Sequence, residues 1–396
     1  MSDYPILRLT PKADTRALRQ GYPWVHGDQI VWDRRARKIE PGQIAVLEDT
    51  GRSPVAVVAA VPQAKIAARV LSRDPQTQID GAWLQAKIQT ANDLRTRFYD
   101  QPFYRLIHAE GDGLPGLIVD RFGDTLVVHP NAIWIENRLD ELTAALLHVT
   151  GVSHILKNGA GRARKLEGLE EASGSLCGAP SERVEVPMNG ATYIADLAQG
   201  QKTGLFFDQR PNHAFAARFA KGAQVLDVFS HVGGFSLAAL AHGASSALAV
   251  DGSEAALKLA EEGADAMDAS ARLETRRSDA FAALEALKEA GAKFDIVICD
   301  PPAFAPGKSA LTSGLRAYER VARLAAPLVR SGGLLMLCSC SHAARLEKFR
   351  GSCLRGMGRA GRDATLIYTG HAGPDHPVHP SLSDTGYLKA LAFHLP

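Results

Sequence analysis

The chain has 396 residues, 46% of them apolar and 22% charged, and a formal net charge of +2. That length exceeds what one ordinary core organises and implies two or three domains, while the composition excludes a disordered or fibrous chain. No apolar stretch reaches the length of a membrane helix and Met1-Ser2-Asp3-Tyr4-Pro5 has no basic-then-apolar leader pattern, so a cytoplasmic location without a membrane partner is expected.

Residues 1–75 read as short strands and turns. Ile44-Ala45-Val46-Leu47-Glu48 and Pro54-Val55-Ala56-Val57-Val58-Ala59, separated by turn residues, give a hairpin signal and suggest a small barrel. Residues 76–180 begin with an amphipathic helix from Asp80 to Tyr99, its apolar face set by Trp83, Leu84, Ile88, Ala91, Leu94 and Phe98. Three strand-like runs follow at Tyr104–His108, Leu117–Asp120 and Leu126–His129, then a helix from Asn137 to His148, making a small α+β unit. The Gly/Ser/Pro-rich stretch from Ser173 to Pro180 reads as a linker. From residue 181 to 396 strands and helices alternate, the pattern of a doubly wound α/β sheet. Its strands are expected at Val225–Phe229, Ala247–Asp251, Arg272–Arg276, Phe294–Cys299, Gly333–Leu337 and, closing the sheet, Gly386–Phe393.

Ligands of such sheets bind beyond the carboxyl ends of the strands. The first strand is followed by Asp227-Val228-Phe229-Ser230-His231-Val232-Gly233-Gly234-Phe235, where glycine permits close backbone approach. The second ends in Asp251, placed to accept both ribose hydroxyls of a nucleoside. The G-x-G-x-x-G needed to cradle a pyrophosphate is missing; an acid at the first strand end suits an amino group instead, which the methionine part of S-adenosylmethionine offers. Asp279, after the third strand, is placed to reach the adenine amino group. Each acid alone is as well explained as a helix N-cap, but three at successive strand ends favour a nucleoside site.

The fourth strand leads into Asp300-Pro301-Pro302-Ala303-Phe304, and the fifth into Cys338-Ser339-Cys340-Ser341. An acid would thus face a thiol across one cleft. Carbon 5 of a pyrimidine is a poor nucleophile until a thiolate adds to carbon 6, so Cys340 is the expected nucleophile and Asp300 the expected base-holding acid. A free thiol has a pKa of about 8.5, so the site must favour thiolate through nearby positive charge, which the sulfonium of S-adenosylmethionine could contribute, or by concerted proton loss. Phe304 could stack an extruded base or simply fill the core. The five cysteines, at 177, 299, 338, 340 and 353, have no metal-ligand spacing; no metal is expected, and Cys299, Cys338 and Cys353 are assigned to packing. Basic runs such as Arg34-Arg35-Ala36-Arg37-Lys38, Arg162-Ala163-Arg164-Lys165 and the set from Arg345 to Arg362 are read first as a solvated face and second as phosphate contacts.

These residues resemble the bacterial large-subunit rRNA cytosine-5 methyltransferases of the RlmI type, and the likeness spans nearly the whole chain. It is carried by Gly21-Tyr22-Pro23-Trp24-Val25, Tyr104-Arg105-Leu106-Ile107, Gly111-Asp112-Gly113-Leu114-Pro115-Gly116, Val119-Asp120-Arg121-Phe122, Lys202-Thr203-Gly204, Asp208-Gln209-Arg210, Phe229-Ser230, Gly233-Gly234-Phe235, Asp300-Pro301-Pro302, Ser339-Cys340-Ser341, Asp375-His376-Pro377 and Tyr387-Leu388-Lys389. The resemblance implies an N-terminal PUA-like β-barrel (1–75), a central α+β domain (76–180) and a Rossmann-like class I methyltransferase domain (181–396). It also implies S-adenosylmethionine as methyl donor and carbon-5 methylation of a cytosine in 23S rRNA, or in a large-subunit precursor, through Cys340. Asp227, Phe229, Ser230, Gly233, Asp251, Asp279 and Asp300 are the expected cofactor contacts, and Phe304, Lys308, Gln209 and Arg210 the expected RNA contacts. The chain departs from the family pattern at His231-Val232, where Tyr-Thr is usual, and at Ala303, where Lys is usual; Lys308 matches a downstream lysine. A guanine ring-nitrogen methyltransferase shares the Asp-Pro-Pro loop but carries Asn where this chain has Cys340. A non-catalytic ribosome-assembly factor and a redox protein using Cys338 and Cys340 are the other readings, the last lacking redox dithiol spacing. Self-association into a homodimer is left open.

Overall fold

The computed structural model describes residues 4–62, 64–197, 204–382 and 386–396. Lys202 and Thr203 of the motif set lie outside the described residues. The described chain divides into two compact units: residues 4–181 with 374–382, and residues 182–373 with 386–396.

In the first unit, five strands pair in the order Ile6–Arg8, Ile44–Glu48, Pro54–Ala60, Ile66–Ser72, Trp24–His26. A bridge between Leu9 and Ile30, just beyond the two edge strands, closes this sheet into a small barrel around Leu7, Val25, Leu47 and Val58. A second five-stranded sheet runs in the order Gly174–Cys177, His154–Lys157, Thr125–Pro130, Leu117–Phe122, Phe103–His108. The helices Gly81–Thr96 and Leu139–Thr150 cover it through Leu84, Ile88, Leu142 and Leu146. Ile44, Val57 and Leu71 of the barrel join this second core, so the two sheets share apolar contacts. The stretch from Ser173 to Pro180 is not simply a linker: Gly174–Cys177 is an edge strand held by ladder hydrogen bonds, with Leu176 packed on the core.

One ionic cluster ties the family-like motifs of this unit together. The Arg95 guanidinium, fully buried, donates to both Asp112 carboxylate oxygens at 2.6 and 2.7 Å and to the carbonyls of Arg105 and Asp375 at 3.0 Å. Asp375 in turn accepts from the Arg105 amide and from His376 Nδ1. Gly111 has no room for a side chain, since a Cβ there would stand 2.3 Å from the Pro377 carbonyl oxygen. Segment 374–382 is therefore docked in this unit by charge and shape, although the chain on both sides of it belongs to the second unit.

The second unit holds a seven-stranded sheet, here β1 (Gln224–Val228), β2 (Ser246–Asp251), β3 (Leu273–Arg277), β4 (Phe294–Cys299), β5 (Val329–Ser339), β6 (Thr365–Gly370) and β7 (Lys389–Leu395). Their spatial order is β3-β2-β1-β4-β5-β7-β6; all are parallel except β7, which runs antiparallel to both of its neighbours. The near-continuous apolar runs of β1, β4 and β5 are buried on both faces, as the centre of a helix-covered sheet requires. The C-terminal strand closes the sheet one place further in than its edge, because β6 adds outside it. A separate two-stranded ribbon, Arg183–Met188 with Ala191–Asp196, precedes the sheet.

Replacing Arg95 by Met would leave the buried Asp112 carboxylate without its counter-charge. Such losses cost about 3–5 kcal/mol, so urea titration of R95M should show the first unit unfolding at clearly lower denaturant; a change within error of zero would show that the cluster contributes no stability.

Candidate active site

Register places the site. Val228 of β1 lies opposite Cys299 of β4, and Cys299 opposite Leu337 of β5, so the three chains leave the sheet at one edge. Beyond β1 the backbone turns sharply: Phe229 and His231 both adopt positive φ (63° and 50°), as does Gly233 (77°), which caps the helix Gly234–Ala241. Two non-glycine residues held left-handed within three positions indicate a loop shaped by its surroundings. A Cβ on Gly233 would stand 2.9 Å from that of Ala260, and one on Gly234 would stand 2.7 Å from the His213 ring.

Asp227 is fully buried at the end of β1. Its Oδ2 accepts from the Ser236 amide (3.0 Å) and hydroxyl (2.9 Å), while its Oδ1 meets no donor. Burial pushes its pKa up to about 6, the Ser236 hydrogen bonds opposing and the Asp251 charge adding to the rise. The Ser230 hydroxyl on the same loop is likewise buried and without a partner. Asp251, half-buried at the end of β2, accepts from the His231 amide through Oδ2 and from the Ser253 amide through Oδ1, both at 2.8 Å, and so clamps the strained loop. Asp279 is exposed and caps the helix Ala280–Glu289 by accepting from the Ala282 amide, the N-cap role weighed above.

Beyond β4, Asp300 Oδ2 accepts from Gln209 Nε2 at 2.8 Å. Gln209 Oε1 accepts from Asn212 Nδ2 at 2.6 Å, and Asn212 Oδ1 accepts from the Tyr368 hydroxyl at 3.0 Å. Because Oε1 is taken by a donor, Gln209 must present its NH2 to Asp300; Asn212 thus fixes the amide's orientation and, through it, the carboxylate. The rest of the Asp-Pro-Pro loop lies on the helix Leu311–Ala325, where Gly314 allows contact: a Cβ there would stand 2.7 Å from the Phe304 carbonyl oxygen. The Phe304 ring packs among Phe229, Phe281 and Tyr318 at centroid distances of 6.3, 6.2 and 5.0 Å, which gives it a packing role in this arrangement. Lys308 is exposed beyond it, and the Arg210 guanidinium lies 5.5 Å from the Phe207 ring.

Beyond β5 the two thiols part company. Cys338 is still in the ladder opposite Ala390; it is buried, and its pKa is driven well above the ordinary value by desolvation and by the Asp300 charge. Burial also shifts Cys299 and Cys353 upward, with the Asp227 and Asp300 charges adding to the rise for Cys299 alone. Cys340 is only half-buried, its Sγ 3.9 Å from the Pro301 carbonyl oxygen. The serines on either side hold it there. Ser339 Oγ donates to the Tyr318 hydroxyl (2.9 Å), which shares a hydrogen bond with Ser341 Oγ (2.7 Å), and Ser341 Oγ also accepts from the Ala305 amide (2.9 Å). One buried tyrosine thus pins both flanks of the thiol and ties them to the loop that carries Asp300. Tyr318, Asn212 and Tyr368 had no signal in the sequence; Lys389, whose ammonium donates to the Ser341 carbonyl at 2.7 Å, stood only within the Tyr387-Leu388-Lys389 match.

Residues 135–393 match the family model of S-adenosylmethionine-dependent methyltransferases, and residues 7–73 match that of PUA-like domains. The chain belongs to this methyltransferase family. It is 32% identical to ribosomal RNA large subunit methyltransferase I of Cronobacter sakazakii, covering 97% of this chain and 98% of that one. It is 35% identical to a ribosomal RNA large subunit methyltransferase of Deinococcus radiodurans, covering 98% of each. Among solved structures, a Streptococcus mutans chain aligns with a TM-score of 0.81 and a methyltransferase complexed with SAH with 0.83, each at 21% identity over 98% of this chain and 100% of that one. The protein is accordingly an S-adenosylmethionine-dependent methyltransferase with an N-terminal PUA-like domain. The residues on the first loop fit that donor. A buried carboxylate oxygen and a buried hydroxyl, both without partners, are what an amino group would satisfy, and the strained loop that carries the hydroxyl lies beside Asp251. Among the described residues no group of three or more His, Cys, Asp or Glu could hold a metal ion, and no helix is long and apolar enough to cross a membrane.

The raised Asp227 pKa makes a prediction. A carboxylate that receives an amino group must be ionised; below about pH 6 the group is protonated, so affinity for S-adenosylhomocysteine should be steady above pH 7. It should fall by up to about tenfold per pH unit below 6. Calorimetry from pH 7.5 to 5 checks this, and the Asp227→Asn variant should bind weakly with no such slope. Asn212→Ala should cut methyl transfer by up to about 100-fold through misplacement of Gln209 and Asp300, with S-adenosylhomocysteine affinity nearly unchanged; equal activity would remove Asn212 from the relay.

Proposed function

We propose that this chain methylates carbon 5 of a cytosine in 23S rRNA, through a covalent bond between Cys340 and carbon 6 of the ring. The reading is supported first by Cys340 itself: of the three cysteines at and beyond the ends of β4 and β5, only this one is partly accessible, and it stands on the loop facing Asp300. Relatives named as large-subunit ribosomal RNA methyltransferases match over almost the whole chain, which supports the substrate class.

Asp227, Ser230, Asp251 and Asp279, with the backbone of Phe229 and Gly233, would hold S-adenosylmethionine. When bound, S-adenosylmethionine supplies an electrophilic methyl group on a sulfonium. Asp300, oriented by Gln209, would accept from the exocyclic amino group of the base and hold the ring in place. The Cys340 thiolate adds to carbon 6; an S–C bond forms and the carbon 5–carbon 6 π pair moves to carbon 5. Carbon 5 bonds to the donated methyl carbon and the departing thioether sulfur keeps the C–S pair. Loss of the carbon 5 proton to a base restores the double bond and expels Cys340 as thiolate. Gln209, Arg210 and Lys308 supply polar and positive groups toward the RNA in this reading.

Transfer of labelled methyl to rRNA should be abolished in Cys340→Ala, while Cys338→Ala should keep most of it. RNA carrying 5-fluorocytosine, which has no removable proton at carbon 5, should accumulate a protein–RNA adduct that C340A does not form. Full transfer by C340A would overturn the covalent route, and methyl recovered on a guanine nitrogen would overturn the choice of atom.

A further inference from the structure

Lys389 is the first residue of β7, in register with Ser339 and almost fully buried. Burying an ammonium is costly unless an anion or hydrogen-bond acceptors compensate it. Among the described residues Lys389 forms no ion pair with a carboxylate; its Nζ donates to the carbonyl of Ser341, the residue next to Cys340. Burial lowers its pKa to about 8, and the one charge that opposes this fall is that of Cys340. Two other titratable groups packed near the thiol are acids or phenols rather than cations. Tyr318, on the helix packed beneath, has its own pKa raised by burial and by Cys340, and Asp300, on the loop after β4, is an acid whose charge already pushes Cys338 upward. His342, on the thiol's own loop, is exposed against the Tyr387 ring.

We infer that Lys389 is a positioning and charge-setting residue for Cys340: its buried ammonium holds the thiol as thiolate before RNA arrives, and its hydrogen bond to Ser341 fixes the loop that carries the sulfur. The inference rests on the nucleophilic role proposed for Cys340. On ionisation the Sγ proton passes to solvent and the negative charge stays beside Nζ. Once sulfur is bonded to carbon 6, the charge is gone, and the lysine's field again favours departure of sulfur as thiolate when the double bond re-forms. The same residue thus assists both the attack and the release.

The test separates charge from tethering. Lys389→Gln keeps a donor for the Ser341 carbonyl without the charge, and Lys389→Arg keeps both. Alkylation of Cys340 by iodoacetamide, followed by mass spectrometry of the peptide from pH 5.5 to 9.5, gives the titration midpoint of the thiol without RNA or methyl donor. The midpoint should rise by about one unit or more in K389Q, with alkylation at pH 7 about tenfold slower, and should stay low in K389R. In the unaltered protein it should lie clearly below the free-thiol value of about 8.5. An unchanged midpoint in K389Q overturns the inference, as does a wild-type midpoint at or above 8.5, which needs no variant to fold. Because alkylation is read without methyl transfer, its outcome is distinct from that of C340A in the transfer assay: full transfer by C340A would sink the adduct, whatever the titration gives.

Discussion

Parallel pairing of β1, β4 and β5 is the constraint on which the site depends. Val228, Cys299 and Leu337 lie side by side across the ladder, so the residues that follow each strand emerge at one edge whatever the loops do. The three strands bring different chemistry there: a buried acid at the end of β1 and a strained turn after it, Asp300 after β4, Cys340 after β5. The antiparallel β7 completes the set. A parallel strand beside β5 would end at this edge; an antiparallel one starts there, which is why Lys389, at its first position, reaches the chain around Cys340.

The same ladder separates two thiols that differ by only two positions. Cys338 lies within it and is sealed by strand and helix neighbours; Cys340 lies one residue past its end. Alternation alone would have put both on one side of the strand. What the structure adds is the tie from Ser339 through Tyr318 to Ser341, which holds both flanks of a thiol that stays half-buried while Cys338 is sealed. The Ser-Cys-Ser sequence therefore carries a division of labour, with tethers on both flanks and the proposed nucleophile between.

Much of this was legible in the chain. The apolar runs at 225–229, 247–251, 294–299 and 333–337 announce buried parallel strands because continuous burial leaves no alternation to obscure them. The acids after them were legible for the same reason: a charge directly after such a run must lie at the edge. The strand Thr365–Gly370 was not, because its residues alternate between half-buried and exposed at the sheet's margin. Nor was Gly174–Cys177, whose Gly/Ser composition reads as linker although ladder hydrogen bonds need no particular side chain. Relays such as Asp300–Gln209–Asn212–Tyr368 join residues up to 156 positions apart in contact. No local pattern can report them. The docking of segment 374–382 in the first unit is hidden in the same way, since its charges find partners more than 250 residues earlier.

A sheet edge that gathers Asp227, Asp251 and Asp300 is a poor place to ionise a thiol. Each carboxylate suits a positively charged or amino-bearing donor, yet each raises the cost of a negative sulfur. Cys299 and Cys338 illustrate that cost: burial raises both pKa values, and the charges of Asp227 and Asp300 add to the rise. Under the mechanism proposed for Cys340, a site that both holds a cationic methyl donor and uses a thiolate gains from a cation of its own on the thiol's side, placed where the acids do not neutralise it. Among the described residues Lys389 meets both conditions: it is buried, bonded to a backbone carbonyl rather than to a carboxylate, and one residue from Cys340. In the proposed mechanism the acids and the lysine at this edge are two halves of one electrostatic arrangement, the first serving the donor and the second serving the nucleophile.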